Sequence, residues 1–520
     1  MNGNTGKHIT VWLMKHKGFW GGIFAFFAGA VATLILPPFI DVWQGYVALV
    51  LFLALLLGKP RTKKSLFWLA YLFGFAFYAV SFSWINKALL LNGDEFAAFV
   101  PAVFLATGAF FGLFWALPAI VAFWGRNIYS RIVLFSTAFV AFEWVRSFIF
   151  TGFPWNLLGT ALSFDVKLIQ MAAYIGTYGL SLLLLLACGG AAALFAGAVR
   201  GKFYAGALAL ILISVAIIGL GGVLYQKSES GEMKVRLVQP NIPQQYKWKA
   251  AEAYANFRAY IDLSKSRPLD GVKLVVWGET ATPYFLDRDW LHLREITEAV
   301  PKGGFLVTGL LRAGIVDGMY VPFNSMFVIV ESGAIKDYYD KSHLVPFGEY
   351  LPFRDLWPSF MTPVAQVVGE LGRGEKFKNL QVEGLPLMGG AICYESIFPK
   401  QVVNPKEKPQ LLLVLANDGW YGVSAGPYQH LAAAQMRAVE EGVTVIRSAN
   451  TGISAVIAPN GDMSGVIGLN QKGIADVMLP RVLAKETVYG TYGNVVPGGL
   501  ILLCWLVMWL FRCRKYNLKL

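Results

Sequence analysis

Long apolar runs broken by short basic stretches dominate the first 225 residues, and the pattern then changes. The runs fall at 19–38, 42–58, 65–86, 96–124, 132–150, 167–198 and 203–225, and an eighth, 494–511, comes shortly before the end of the chain. Each is at or near the roughly 20 residues that a helix needs to cross a bilayer, and the longer ones predict tilt or interfacial ends. Between 226 and 490 the apolar runs are short and charges are mixed. This patterning predicts a membrane part over 1–225 with about seven spanning helices, an extramembrane domain over 226–490, and a final span with a tail over 491–520.

Within 226–490 the short runs read as strands: "MKVRLVQPNI", "VKLVVWGET", "GFLVTGLL", "SMFVIVES", "LMGGAICYE", "LLLVLAND", "VTVIRSAN" and "SAVIAPNGD". Strands buried on both faces give continuous apolar runs of this kind. Helical stretches, "KAAEAYANFRAYIDLSK" and "YQHLAAAQMRAVEEG", precede the second and the seventh. Ser332-Gly333 and Asn460-Gly461 are hairpin dipeptides. An α/β sandwich follows, with packed sheets and helices outside.

Composition agrees, since 56% hydrophobic and 15% charged residues are too apolar for one soluble domain. Lys and Arg fix an orientation. Lys7, Lys15 and Lys17 precede the first run, Lys59, Arg61, Lys63 and Lys64 follow the second, and Arg126 and Arg131 follow the fourth. Arg200 and Lys202 follow the sixth, and Arg512, Arg514, Lys515 and Lys519 lie in the tail. Alternate loops are therefore basic, which predicts cytoplasmic termini and an external 226–490 domain. The net charge of +13 then reflects topology and not a nucleic-acid footprint. The first run has no small-residue cleavage site and leads directly into further spans, so no cleavable signal peptide is expected.

Of the cysteines at 188, 393, 504 and 513, only Cys393 falls in the external domain, where it has no local disulfide partner. A free cysteine can be a buried small hydrophobe, or it can be a positioned nucleophile if a base and an oxyanion stabiliser come from elsewhere. Two other polar residues stand where strand runs stop, Glu279 after "LVVWG" and Lys341 after "KDYYD". Taken singly, the first also reads as a helix cap or surface acid and the second as a solvated cation.

The flanks of these three residues, "WGETATP", "YDKSHLVPFGEY" and "CYES", resemble the nitrilase (carbon–nitrogen hydrolase) superfamily, which places a Glu, a Lys and a Cys on separate strand ends. With the seven-plus-one arrangement of spans, and with "VQPNIPQQYKW", "AFEWVRSFIFTGFPW" and "GPYQHLAAAQMRAVEEG", the whole chain is similar to the bacterial apolipoprotein N-acyltransferase family. One departure is Gly278, where family members commonly carry proline. The resemblance implies an αββα sandwich beside a helical membrane domain. It also implies a two-step reaction in which Cys393 takes an acyl chain from a phospholipid, phosphatidylethanolamine or another. The thioester then passes the chain to the α-amine of the S-diacylglyceryl cysteine of an apolipoprotein. Glu279 would move the protons, and Lys341 with the N–H of Tyr394 would hold the oxyanion. Glu349 and Glu395 would support them, and Trp248, Asn324 and Trp420 would contact substrate. The implied location is the bacterial inner membrane, with the catalytic domain in the periplasm.

Neither metal nor cofactor is expected: there is no H-E-x-x-H, paired-Cys or Walker motif, and His8, His16, His292, His343 and His430 show no ligand spacing. Residues 344–368, rich in aromatics and proline, read either as a packed loop or as a membrane-dipping lid. "LANDGWYG", with Asn417 and Asp418, reads as a pocket wall or a plain turn. Glu143 and Arg146, costly in lipid, could pair across one helix face as structural support. Two other functions fit parts of the pattern: a membrane-anchored amidase that hydrolyses its acyl-enzyme with water, and a transporter with an inert external domain. The eight spans disfavour the first, and the scarcity of ionisable residues within the spans disfavours the second.

Overall fold

The computed structural model describes residues 18–39, 42–59, 61–91, 94–196, 203–356, 358, 363, 370–481 and 486–517. Lys7, Lys15, Lys17, Arg200, Lys202, Lys519, His8, His16 and most of 357–369 lie outside them. The described residues form two compact units, one within Met1–Asn86, Phe99–Tyr225 and Tyr492–Leu520, the other within Lys87–Ala98 and Gln226–Thr491.

In the first unit every apolar run is helical. Among the described residues, Lys63–Ser81, Ala97–Trp124, Ile128–Val145, Ala172–Phe195 and Tyr204–Leu224 are long and apolar enough to cross a membrane, while Phe19–Ile35, Trp43–Leu57 and Val495–Leu510 are shorter. Side-chain caps set two of the starts. Thr62 Oγ1 accepts from the Ser65 N–H at 3.2 Å, and Asn127 and Ser130 form a reciprocal capping box. The helix after Asn127 stops at Val145, short of the expected 150; turns follow over 146–148, and Phe150 and Gly152 then take positive φ.

Small residues let the helices approach closely. A Cβ on Gly29 would lie 2.1 Å from the Phe73 carbonyl oxygen, so any larger residue would separate those two helices. Trp115 fills the centre against Phe73 and Phe139, with ring centroids 4.6 Å away in each case. Glu143 and Arg146 are buried but form no ion pair among the described residues. Glu143 Oε1 instead accepts from the Leu158 N–H at 2.6 Å, and the Arg146 guanidinium lies over the Tyr78 ring at 5.1 Å. Their i,i+3 spacing permits pairing, but a turn N–H and an aromatic face take the two charges separately.

The second unit is a four-layer αββα sandwich. Its strands are β1 (Ser230–Gln239), β2 (Val272–Val276), β3 (Phe305–Val316), β4 (Met319–Val330), β5 (Ile335–Asp340), β6 (Asn379–Leu380), β7 (Met388–Ile392), β8 (Leu411–Ala416), β9 (Thr444–Ala449), β10 (Ser454–Ile457), β11 (Met463–Ile467) and β12 (Gly473–Pro480). They build two six-stranded sheets, ordered β12-β1-β2-β3-β4-β5 and β11-β10-β9-β8-β7-β6. Parallel pairs occupy the middle of each sheet, β1–β2–β3 and β7–β8–β9.

Alternation along each strand divides the apolar residues between layers. Val235, Leu237, Leu274, Val276, Leu411, Leu413 and Leu415 meet between the sheets. Val238, Val275 and Leu306 face helix Ala253–Ser264, and Leu412, Val414 and Val445 face helix Gly426–Glu441. Each such aliphatic side chain contributes roughly 1.5–3 kcal/mol on full burial. The hairpin glycines Gly333 and Gly461, at φ 81 and 86, make the turns between β4 and β5 and between β10 and β11.

Candidate active site

Parallel strands place their carboxyl ends on one edge of a sheet, where loops can gather polar groups. Glu279 follows β2, Lys341 directly follows β5, and Cys393 directly follows β7. β5 is antiparallel to β4 and β4 to β3, so β5 runs in the sense of β3 and ends on the same edge as β2. Residues separated by more than fifty positions in sequence are thereby brought together.

Lys341 is 1% exposed. Its Nζ lies 2.8 Å from Glu349 Oε1 and 3.6 Å from Glu279 Oε1. Burial acts to lower its proton affinity, but Glu349 and then Glu279 outweigh that, and the ammonium is held well above the usual lysine range. Asn324, on β4, donates from Nδ2 to Glu279 Oε1 at 2.7 Å and to Glu349 Oε1 at 3.3 Å. Glu349 Oε2 accepts from the Val345 N–H at 2.8 Å. Glu279 Oε2 is buried and has no hydrogen-bond partner among the described residues. One carboxylate oxygen of Glu279 is thus fixed by a hydrogen bond, and the other has none among the described residues.

Cys393 is buried at a sharp turn with φ 52, a conformation that costs a non-glycine residue about 1–3 kcal/mol. Its surroundings hold it there. Glu395 Oε2 accepts from the Ile392 N–H at 2.7 Å. Its Oε1 accepts from the Ser342 N–H and hydroxyl, the His343 N–H and the Tyr339 hydroxyl, at 2.8 to 2.9 Å. Glu395 therefore ties the end of β5 to the turn after β7. On the other side, His430 Nε2 lies 2.9 Å from the Cys393 carbonyl oxygen, and His430 Nδ1 lies 2.7 Å from Asp418 Oδ1. Arg447 donates to Asp418 Oδ2 at 2.7 Å. Burial pushes the Cys393 thiol up, Glu279 adds to this and Lys341 opposes it. Burial therefore favours the thiol over the thiolate, the form that attacks carbonyls.

Several residues that the resemblance singled out lie apart from this cluster or beside it. The Tyr394 ring packs against Phe398 and edge-on to His343, at 5.1 and 5.7 Å, so only its backbone could serve the thiol's chemistry. His343 stacks on Phe398 at 4.0 Å. Trp248 is half-buried, with Lys247 Nζ 5.8 Å from its ring, and Trp420 is half-buried in the turn after β8. In that turn it is the Tyr421 hydroxyl that approaches the sulfur, at 3.8 Å, while Asp418 enters the His430 cluster. Sequence reasoning missed Lys247, Tyr421 and Arg447. Lys247 was visible only as a cation beside Trp248, a setting that usually means solvation.

Comparison with known proteins agrees with both units. Residues 28–190 match the family model for the apolipoprotein N-acyltransferase N-terminal domain, and residues 234–489 match that for carbon-nitrogen hydrolase. An apolipoprotein N-acyltransferase of Rhodopseudomonas palustris is 34% identical over 520 residues, covering 95% of this chain and 96% of its own. One from Brucella melitensis is 36% identical over 490 residues, covering 89% and 90%. Among solved structures, a CN-hydrolase superfamily protein of Xanthomonas campestris is 20% identical, covering 49% of this chain and 91% of its own, with a TM-score of 0.36. Matches that run through the helical unit and the sandwich alike extend beyond a shared hydrolase domain, and the chain belongs to the apolipoprotein N-acyltransferase family.

Proposed function

We propose that this protein transfers an acyl chain from a phospholipid to the α-amino group of a diacylglyceryl cysteine on an apolipoprotein, through a thioester on Cys393. The observation that carries the chemistry is the environment of Glu279, with Oε1 bound by Asn324 and near Lys341, and Oε2 buried and unpartnered. In the first half-reaction Glu279 takes the thiol proton as sulfur attacks the ester carbonyl, then returns it to the departing lyso-lipid oxygen. The Lys341 ammonium and the Tyr394 N–H stabilise the oxyanion between those events. In the second half the acceptor amine attacks the thioester, Glu279 takes its proton, and the thiol is regenerated as the amide forms. Amide is more stable than thioester, so no nucleotide is required.

Glu349 holds Lys341, and Asn324 holds Glu279, in this scheme. Trp248 and Trp420 contact substrate. Phosphatidylethanolamine is the donor we favour, and the site of action is the periplasmic face of the inner membrane, an orientation argued from the basic loops. The described part of 344–368 exposes Phe347, Phe353 and Leu356, which supports its contact with lipid. The test is to incubate the purified protein with a labelled phospholipid and a diacylated lipopeptide. The expected products are a thioester on the Cys393 peptide and then a labelled amide. Free fatty acid without amide would overturn the transfer reading.

A further inference from the structure

A second lysine reaches the site. Lys247 closes the helical turn Gln244–Lys247 that follows β1, and its side chain runs inward until it is 4% exposed. Its Nζ donates to the Glu279 carbonyl oxygen at 2.9 Å and to Thr280 Oγ1 at 2.7 Å. Among the described residues no carboxylate lies within ion-pair distance of it, unlike Lys341 with two. An ammonium held only by a carbonyl and a hydroxyl is costly to bury, and nothing in the packing of the turn demands a charge there. The turn it clasps is itself unusual, since Thr280 has φ 43.

The charges of the site make sense of it. With Glu279 and Glu349 counted as anions and Lys341 as a cation, the site carries one net negative charge; passing the thiol proton to Glu279 keeps that total and moves the charge onto sulfur, and loss of the proton to solvent, as in alkylation, would make it two. We propose that Lys247 is a positioning residue that clasps the Glu279 turn and supplies the positive charge that compensates Cys393 as it loses its proton. Burial brings the Lys247 ammonium down to about 8, while Glu279 and Cys393 both act to raise it, so lysine and thiol feel each other's charge. The groups facing the thiol are Glu279, Lys341, Asp418, Tyr421 and Lys247. Burial, with Cys393 next, holds Tyr421 high, the two carboxylates hold Lys341 high, and Arg447 and His430 hold Asp418 low against its burial, so Lys247 is the cation that can change state near neutrality. The groups facing Lys247 are Glu279, Cys393 and the Trp248 ring.

The proposal rests on Cys393 as nucleophile, yet its test needs no acyl donor, so it can fail while acyl transfer stands, and the reverse. The full-length protein in detergent is treated with iodoacetamide from about pH 7 to 9, and the Cys393 peptide is followed by mass spectrometry. Below its midpoint the alkylation rate follows the thiolate fraction, and one unit of displacement is a tenfold change in rate. In wild type, log rate should climb with pH and flatten above about 8, as Lys247 loses its proton and its support for thiolate. Lys247→Gln keeps a donor amide without the charge. It should alkylate about tenfold more slowly near pH 7 and climb without the flattening. Lys247→Arg should recover most of the wild-type rate, and Thr280→Ala, which removes one contact and no charge, should keep the wild-type profile. A Lys247→Gln rate within about twofold of wild type, or an equal loss in Thr280→Ala, overturns the proposal. If the Gln variant does not accumulate, flattening or its loss in Lys247→Arg decides: a guanidinium stays charged, so persistent flattening near pH 8 overturns it.

Discussion

Cys393 is kept as a thiol by burial and by the acids near it, so its reactivity depends on what surrounds it at the moment of attack. Cys393→Ala replaces a small buried group by a slightly smaller apolar one and should leave the protein folded with no acyl-enzyme. Mass spectrometry after exposure to labelled phospholipid checks this, and thioester on Cys188 or Cys504 would overturn the assignment. Lys341 presents a harder case, because it pairs with buried carboxylates as well as having the oxyanion role proposed for it. Lys341→Met should lower thioester formation by about 10²–10³, and should also cost about 3–5 kcal/mol in stability by stranding Glu349. Lys341→Met with Glu349→Gln separates the two effects. The double variant should regain stability in a thermal melt and none of the rate; recovery of thioester would show that Lys341 acts on the fold alone. At this scale Glu279, Lys341 and Cys393 were legible as candidates through their flanks, which resemble one family, while spacing of more than fifty residues left their meeting to that resemblance. Lys247 and Arg447 were not, since a cation whose partner is a carbonyl past the next strand or an acid 29 residues back leaves no local mark.

The strand that ends just before Cys393 explains its own sequence. β7 reads "MGGAI", and a Cβ on Gly390 would lie 2.6 Å from the Tyr339 ring of the facing sheet. Tyr339 needs that space because its hydroxyl donates to Glu395, which fixes the turn after β7 to the end of β5. Gly390→Ala should therefore push the sheets apart locally and destabilise the domain by about 1–3 kcal/mol. It should also slow acylation, because the Glu395 link is disturbed. Unchanged melting together with unchanged acylation would show that Tyr339 is free to move aside. The sequence carried eight of the twelve strands, those at the parallel centre and their neighbours. β5, "IKDYYD", alternates with charged residues, β6 has two residues, and β11 and β12 are half-exposed edges, so none of these gives the continuous apolar signal of a doubly buried strand.

For the whole molecule the unsettled quantity is sidedness, which follows from where charge is expensive. Cytoplasmic loops retain Lys and Arg, and Lys63 additionally lies over the rings of Phe123 and Trp124, at 5.2 and 4.8 Å, as an interfacial anchor would. On the topology expected from the sequence, the basic loops after the second, fourth and sixth runs would share one side, and an odd number of crossings before 226 would deliver the second unit to the other. A cysteine probe can test this only where it is exposed. Ser264 would mislead, because its hydroxyl donates to the Tyr260 carbonyl and accepts from Trp277 Nε1 in the core. Ser266, two residues on, is exposed, as is Lys63. In spheroplasts, Ser266→Cys should react with a membrane-impermeant maleimide at once and Lys63→Cys only after lysis, with peptide mapping to set aside the native thiols. Labelling of both from outside would break the seven-plus-one arrangement, since an odd number of crossings must separate these positions. Labelling of Lys63→Cys alone would reverse the orientation and place the thiol chemistry in the cytoplasm, away from the lipoprotein acceptor proposed for it.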